Sequence, residues 1–242
     1  MTATRHHQLT VNGHTIHART HGTGHPLLLH AGMFSRMDDW TPLLDHLDGF
    51  QPVTYDAPGV GDSPPPRGPM SMRELAAVGA GVLDQLGIAS AHVLGASFGG
   101  AVAQQMARDC PRRVDRLVLV STSFGGLAMP GHPLAMLGLA GQAGRGSPAS
   151  PRAVMLRMSA LAGWTSMHWL HRITHPTLLL CGDNDQVTPL FNHRVMEQLI
   201  PDALLHVVPG TGHLMLLQNA AEAGRVITRF LAGAAGKTAE AA

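Results

Sequence analysis

Short, continuous apolar runs recur along the chain, separated by amphipathic stretches. Pro26–His30 (PLLLH), Pro52–Asp56 (PVTYD), Ala91–Gly95 (AHVLG), Arg116–Thr122 (RLVLVST), Pro176–Gly182 (PTLLLCG) and Ala203–Pro209 (ALLHVVP) read as strands. Because these runs do not alternate with polar residues, they suit strands covered on both faces, as in a parallel sheet. Ahead of them, Leu9–Thr20 (LTVNGHTIHART) centres on Asn12-Gly13 and predicts a hairpin. Helical spacing of apolar residues predicts helices over Met72–Leu86, Phe98–Arg108 and Ala220–Leu231. Thr188-Pro189 reads as an N-cap followed by proline at the first helical position, opening a helix that runs to Leu199. Strand–helix alternation of this kind predicts an α/β fold with a mostly parallel, doubly wound sheet and right-handed crossovers. Gly125–Arg172 breaks the rhythm. It shows no clear strand and is rich in Met, Leu, Ala, Gly and Pro, so it is expected to form a short, mostly helical cap inserted into a single domain spanning residues 1–242.

Composition narrows the class. Of 242 residues, 45% are hydrophobic and only 14% charged, enough apolar side chain for a sizeable core. A formal net charge of +1 gives no expectation of nucleic acid or an anionic membrane surface as partner. No apolar run reaches bilayer length, and the opening MTATRHHQLT lacks the apolar centre of a secretory signal, so a cytoplasmic location is the expectation. Cys110 and Cys181 make no disulfide framework. No metal-ligand spacing stands out: His6-His7 is read as an exposed pair. Gly59 and Gly61 lack the continuation of a dinucleotide loop, so no cofactor is expected. The last residues, 233–242, are small and polar and are expected to fray.

One stretch carries chemistry. Gly95-Ala96-Ser97-Phe98-Gly99 fits G-x-S-x-G between a predicted strand and a predicted helix, the context of a nucleophile elbow. The turn is tight, so a side chain at Gly95 or Gly99 would collide with its neighbours, and the following helix aims its free amides at the reacting centre. A plain Gly/Ser turn is the weaker reading there. Serine needs a base, and the base needs an orienting acid. Cys181–Pro189 (CGDNDQVTP) offers Asp183 and Asp185 after one strand, and Gly210–Met215 (GTGHLM) offers His213 after the last. Asp183 is read as turn chemistry, Asp185 as the acid and His213 as the base. Catalytic groups gather at that end of such sheets. Methionine is abundant, at 13 residues, and most of it is read as adaptable core filling.

Together these residues resemble the α/β-hydrolase superfamily over nearly the whole chain. The resemblance implies the acid at the end of Gly182-Asp183-Asn184-Asp185, and an oxyanion hole from the backbone amides of Phe98 and, in the loop His30-Ala31-Gly32-Met33, of Met33. Asp56–Pro66 (DAPGVGDSPPP) is similar to the family's structural D-x-x-G-x-G-x-S loop. A closer likeness, in DAPGVGDS, in Phe124–Pro133 and above all in Gly163–Leu190, is to intracellular medium-chain-length poly(3-hydroxyalkanoate) depolymerases. It implies a polymeric or small-molecule ester substrate. Beside it, Met33, Trp164 and Met167 are read as candidates for an adaptable apolar substrate wall, while for Trp164 and Trp169 a role as core anchors of the insertion is the preferred reading. The likeness departs between Pro133 and Gly163, where the family's larger lid is trimmed to a Gly/Ala/Pro-rich piece. A general short- or medium-chain esterase, thioester or perhydrolytic chemistry, and a silent binding protein on the same scaffold stay open beside the depolymerase reading.

Overall fold

The computed structural model describes residues 3–143 and 151–233. Most of the terminal segment expected to fray, and the middle of the trimmed piece, lie outside them. Strands β1 (Thr4–Val11) and β2 (His14–His21) form the hairpin. Its turn residues Asn12 and Gly13 have φ of +50° and +79°, as a primed hairpin turn requires. Six further strands, β3 (His25–His30), β4 (Phe50–Tyr55), β5 (Ala91–Ala96), β6 (Val114–Val120), β7 (Thr177–Gly182) and β8 (Ala203–Val208), complete one sheet in the order β1-β2-β4-β3-β5-β6-β7-β8. All pairings from β4 to β8 are parallel; β1 and β2 run antiparallel at one edge.

Helices cover both faces: α1 (Thr41–Leu44), α2 (Met72–Gln85), α3 (Phe98–Asp109), α4 (Pro133–Ala143), α5 (Pro151–Leu161), α6 (Leu190–Leu199), α7 (Met215–Gln218) and α8 (Ala220–Leu231). Successive strand residues face opposite layers, which explains the unbroken apolar runs. Leu28, Val93, Leu117 and Leu179 join the layer packed by α2, α3 and α6. Leu27, Leu29, Leu94, Val118 and Leu178 join the layer closed by Trp40, Leu43, Ile227 and Phe230. All nine strand residues are fully buried, each stabilising the fold by about 1.5–3 kcal/mol relative to exposure. Ser71 caps α2 through a reciprocal pair with Glu74.

The helix at Leu190 corrects one expectation. Pro189, not Thr188, occupies the N-cap, with extended φ/ψ of −52° and 142°, and no side chain caps the helix. Thr188 is committed elsewhere: its amide and hydroxyl both donate to the Asp185 carboxylate.

The strand order reverses at β3, which has β4 on one side and β5 on the other. Such a switch point opens a crevice at the carboxyl ends of the strands. His30 is in register with Gly95, so the chain leaves β3 and β5 at the same level. Between β6 and β7 the chain forms α4 and α5, tied back by an isolated bridge between Gly125 and Thr165.

Candidate active site

Ser97 sits at the strand-to-helix turn with φ +53° and ψ −118°, a conformation that costs a non-glycine residue about 1–3 kcal/mol. Its surroundings fix it there. The Ser97 amide donates to the Val120 carbonyl at 2.9 Å, and its own carbonyl accepts from the Thr122 hydroxyl at 2.7 Å and the Gly100 amide at 2.9 Å. A Cβ at Gly95 would overlap the Gly99 carbonyl, and one at Gly99 would overlap the His30 carbonyl. Gly95 therefore lets the start of α3 fold back on β5, and Gly99 lets it press against the end of β3 and the loop that follows. Phe98 opens α3, so its amide is one of the helix's unpaired donors.

His213 follows β8 and Asp185 follows β7, and three side chains meet in line. His213 Nε2 lies 3.0 Å from Ser97 Oγ, and His213 Nδ1 lies 2.9 Å from Asp185 Oδ2 and 3.1 Å from Oδ1. Asp185 is 4% exposed. Burial raises its pKa, but the hydrogen bond and charge of His213, with the Thr188 donors, outweigh that and hold it below the ordinary carboxylate value. The Val187 and Thr188 amides each donate to Oδ1 at 2.9 Å, and the Thr188 hydroxyl donates to Oδ2 at 2.8 Å. Asp183 faces away from this chain of bonds: its carboxylate accepts from the Gly210 amide at 2.8 Å and ties the acid loop to the histidine loop. A Cβ at Gly182 would overlap the Thr211 carbonyl, which keeps those loops in contact.

Asp56, at the end of β4, is fully buried and holds the glycine-rich loop below the site. Its carboxylate accepts from the Met37 amide at 2.8 Å and the Asp62 amide at 3.1 Å, and a Cβ at Gly61 would overlap it.

The substrate-wall candidates separate. Met33 packs on the core in the loop after β3. Trp164 donates from Nε1 to Gln105 at 2.8 Å and meets Trp169 edge-on with ring centroids 6.2 Å apart, so it anchors the insertion to α3. Met167 is 38% exposed. None of the three, Met33, Trp164 or Met167, lines the cavity that adjoins Phe98 and the loop after β3. Two residues that do were not singled out from the sequence. Arg157, on α5, reaches the Gly32 and Met33 carbonyls from Nη1 at 3.3 and 2.5 Å and stacks over the Phe98 ring at 5.1 Å. His30 hydrogen-bonds the Tyr55 hydroxyl through Nδ1 at 2.7 Å. Between Asp115 and Asp183 the sequence holds no Asp or Glu, so Arg157 has no acidic residue near it along the chain; that gap was the available signal. A third residue, His193, accepts from the Thr122 amide at 3.2 Å behind the elbow, and burial lowers its pKa to about 4.

At the opposite end of the strands His25, His92 and Asp115 place one ligand atom each within 4.8 Å of one another, a candidate metal-ligand set assembled from three strand starts. His25 Nε2 already lies 2.8 Å from Asp115 Oδ2. Residues so far apart in sequence carry no motif. Cys181 is fully buried in β7, its thiol pushed up to about 12 by burial.

The model of the α/β hydrolase fold matches residues 25–144 and 157–220, and the chain belongs to that family. A poly(3-hydroxyalkanoate) depolymerase of Ectopseudomonas oleovorans is 34% identical over 238 residues, covering 85% of this chain and 84% of the relative. A 2-hydroxy-6-oxononadienedioate/2-hydroxy-6-oxononatrienedioate hydrolase of Pseudomonas sp is 27% identical over 92% of this chain and 93% of its own length. Among solved structures, the enol-lactonase of Burkholderia xenovorans LB400 superposes with a TM-score of 0.84 at 21% identity, covering 93% of this chain and 100% of that one; at this identity the likeness concerns the fold. No helix among the described residues is long and apolar enough to cross a membrane.

Proposed function

We propose that the chain is a serine carboxylic-ester hydrolase working through an acyl-enzyme. The observation that carries this is the continuous chain Asp185–His213–Ser97, with contacts of 2.9 and 3.0 Å. In the proposed reaction Ser97 Oγ attacks the ester carbonyl while His213 Nε2 takes its proton. Asp185 fixes the imidazole through Nδ1 and stabilises its cation. The backbone amides of Met33 and Phe98 donate to the developing oxyanion. As the tetrahedral intermediate collapses, the C–O bond to the leaving alcohol breaks and His213 returns the proton to that oxygen. Water, deprotonated by His213, then attacks the acyl-enzyme and releases the acid and Ser97. Every step uses groups of the chain and water.

For the substrate we favour a poly(3-hydroxyalkanoate)-like polyester or its oligomers, supported by the 34% identical depolymerase. Exposed Leu134, Leu137 and Met155 on the insertion suit an apolar ester. A second reading, a general short- or medium-chain esterase, draws on the trimmed Gly/Ala/Pro-rich piece between Pro133 and Gly163. Initial rates on p-nitrophenyl esters from acetyl to decanoyl, with Ser97→Ala alongside, separate them. A medium-chain optimum lost in the variant supports the polyester reading; an acetyl optimum, also lost, supports the general esterase; activity surviving in the variant rejects both.

A further inference from the structure

Arg157 is a guanidinium buried without a carboxylate. It is 5% exposed, its Nε has no partner, and no acidic side chain among the described residues lies within ion-pair distance of it. Asp56 acts on it only through space, both carboxylate oxygens being engaged by the Met37 and Asp62 amides. Burial lowers its pKa to about 10, which leaves it charged at neutral pH. Two carbonyls, a ring face and the through-space pull of Tyr55 and Asp56 compensate this buried cation without a direct ion pair, which leaves room for an anion to complete it.

The cavity it lines has a second unpaired polar group. His30 is 1% exposed and its Nε2 has no partner. In the tautomer in which the Tyr55 hydroxyl donates to Nδ1, Nε2 carries the ring proton and adds a donor to the same wall. Leu75, Val78 and the Phe98 ring supply the apolar remainder. The insertion that carries Arg157 is also one-signed. From Gly125 to Arg172 the sequence holds four arginines and no Asp or Glu.

We propose that Arg157, backed by the His30–Tyr55 pair, forms a carboxylate-binding subsite in the wall of the ester site. It directs the enzyme toward amphiphilic esters that bear a free carboxylate, such as soluble oligoesters ending in an acid. This rests on the ester-hydrolase reading and names the substrate class within it. Arg157 spans the Met33 carbonyl and the Phe98 ring, so a carboxylate held there lies beside the two residues assigned to the oxyanion hole.

The test compares charged and neutral twins: the 3-hydroxyoctanoate dimer acid against its methyl ester, with the charge on the alcohol part, and monoethyl against diethyl suberate, with the charge on the acyl part. The expected result is a kcat/KM preference for the charged member of one pair of about tenfold or more, the size of one charge-assisted contact. That ratio falls to about one in Arg157→Gln and is partly kept in Arg157→Lys. A uniform loss on every ester in Arg157→Gln, with the ratio unchanged, would make Arg157 only a brace of the oxyanion loop and overturn the subsite. Equal or better cleavage of both neutral twins by the unaltered enzyme overturns it too, while leaving the ester-hydrolase reading intact. Calorimetric binding of 3-hydroxyoctanoate, against its methyl ester, to Ser97→Ala gives a readout free of chemistry. Arg157-dependent binding of the acid without cleavage of any ester would keep the subsite and reject the hydrolase reading; absence of such binding overturns the subsite.

Discussion

The elbow around Ser97 and the insertion between β6 and β7 are built in opposite ways. At the elbow, two glycines admit close backbone contacts, three hydrogen bonds hold the Ser97 peptide groups, and the adjoining stretches Ala91–Gly95 and Leu117–Val120 are buried. On the insertion, Leu134 and Leu137 stand about 70% exposed, and long side chains such as Trp164 and Arg157 provide the anchorage. Under the proposed function this difference divides the labour: the sheet edge would fix the reacting atoms, and the insertion would decide which ester reaches them. Changes at the elbow should therefore act on turnover for every substrate, and changes on the insertion on the choice among substrates.

The largest effect tests the first half of that division. Asp185→Asn keeps the shape of the acid but loses its charge and favours the wrong imidazole tautomer; kcat should fall on the order of 10⁴-fold on all esters, measured as initial rates with the melting temperature little changed. Next comes Gly99→Ala, whose Cβ overlaps the His30 carbonyl. It should destabilise the fold by about 1–3 kcal/mol, read from urea unfolding, and lower activity through the displaced loop after β3. Thr188→Val removes the hydroxyl that donates to Asp185 Oδ2 while keeping the amide; a drop in kcat of about tenfold with unchanged KM is expected.

Part of the acid sensitivity should arise at the elbow, beside the contributions of buried His30 and His92. His193 is buried with its pKa lowered from 6.5 to about 4, by burial first and by His213 second, against an opposing pull from Asp185. The unfolded chain therefore binds a proton that the folded chain refuses between those values. His193 contributes stability fully above pH 6.5 and loses it as pH falls toward 4. A melting-temperature series from about pH 7 to about pH 4.5 should decline less steeply in His193→Gln, whose carbonyl can still accept from the Thr122 amide. The smallest effect belongs to the insertion's surface: Leu134→Ser with Leu137→Ser should change stability by under about 0.5 kcal/mol per site, while lowering kcat/KM on decanoyl more than on acetyl esters. An equal loss on both chain lengths would break the proposed division.

The same contrast governs what could be read from sequence. The sheet was legible because fully buried parallel strands leave unbroken apolar runs, as at Leu27–Leu29 and Leu178–Leu180. The elbow was legible because its geometry demands glycine on both sides of a small residue. Arg157 was not, since its partners Gly32 and Met33 lie more than a hundred positions away and contribute only carbonyls. Thr188 was misread as a cap because Thr-Pro looks the same whether the hydroxyl serves a helix or a neighbouring carboxylate. Trp164 faces Gln105, a contact that no local pattern records.

The role proposed for Ser97 is best tested by labelling with an aryl phosphonate ester, followed by intact-mass and peptide mass spectrometry alongside residual esterase activity. A nucleophilic Ser97 should yield one phosphonyl adduct, on Ser97, formed in step with loss of activity and nearly absent in His213→Ala. An adduct on another residue, or full activity in protein carrying the Ser97 adduct, would contradict it.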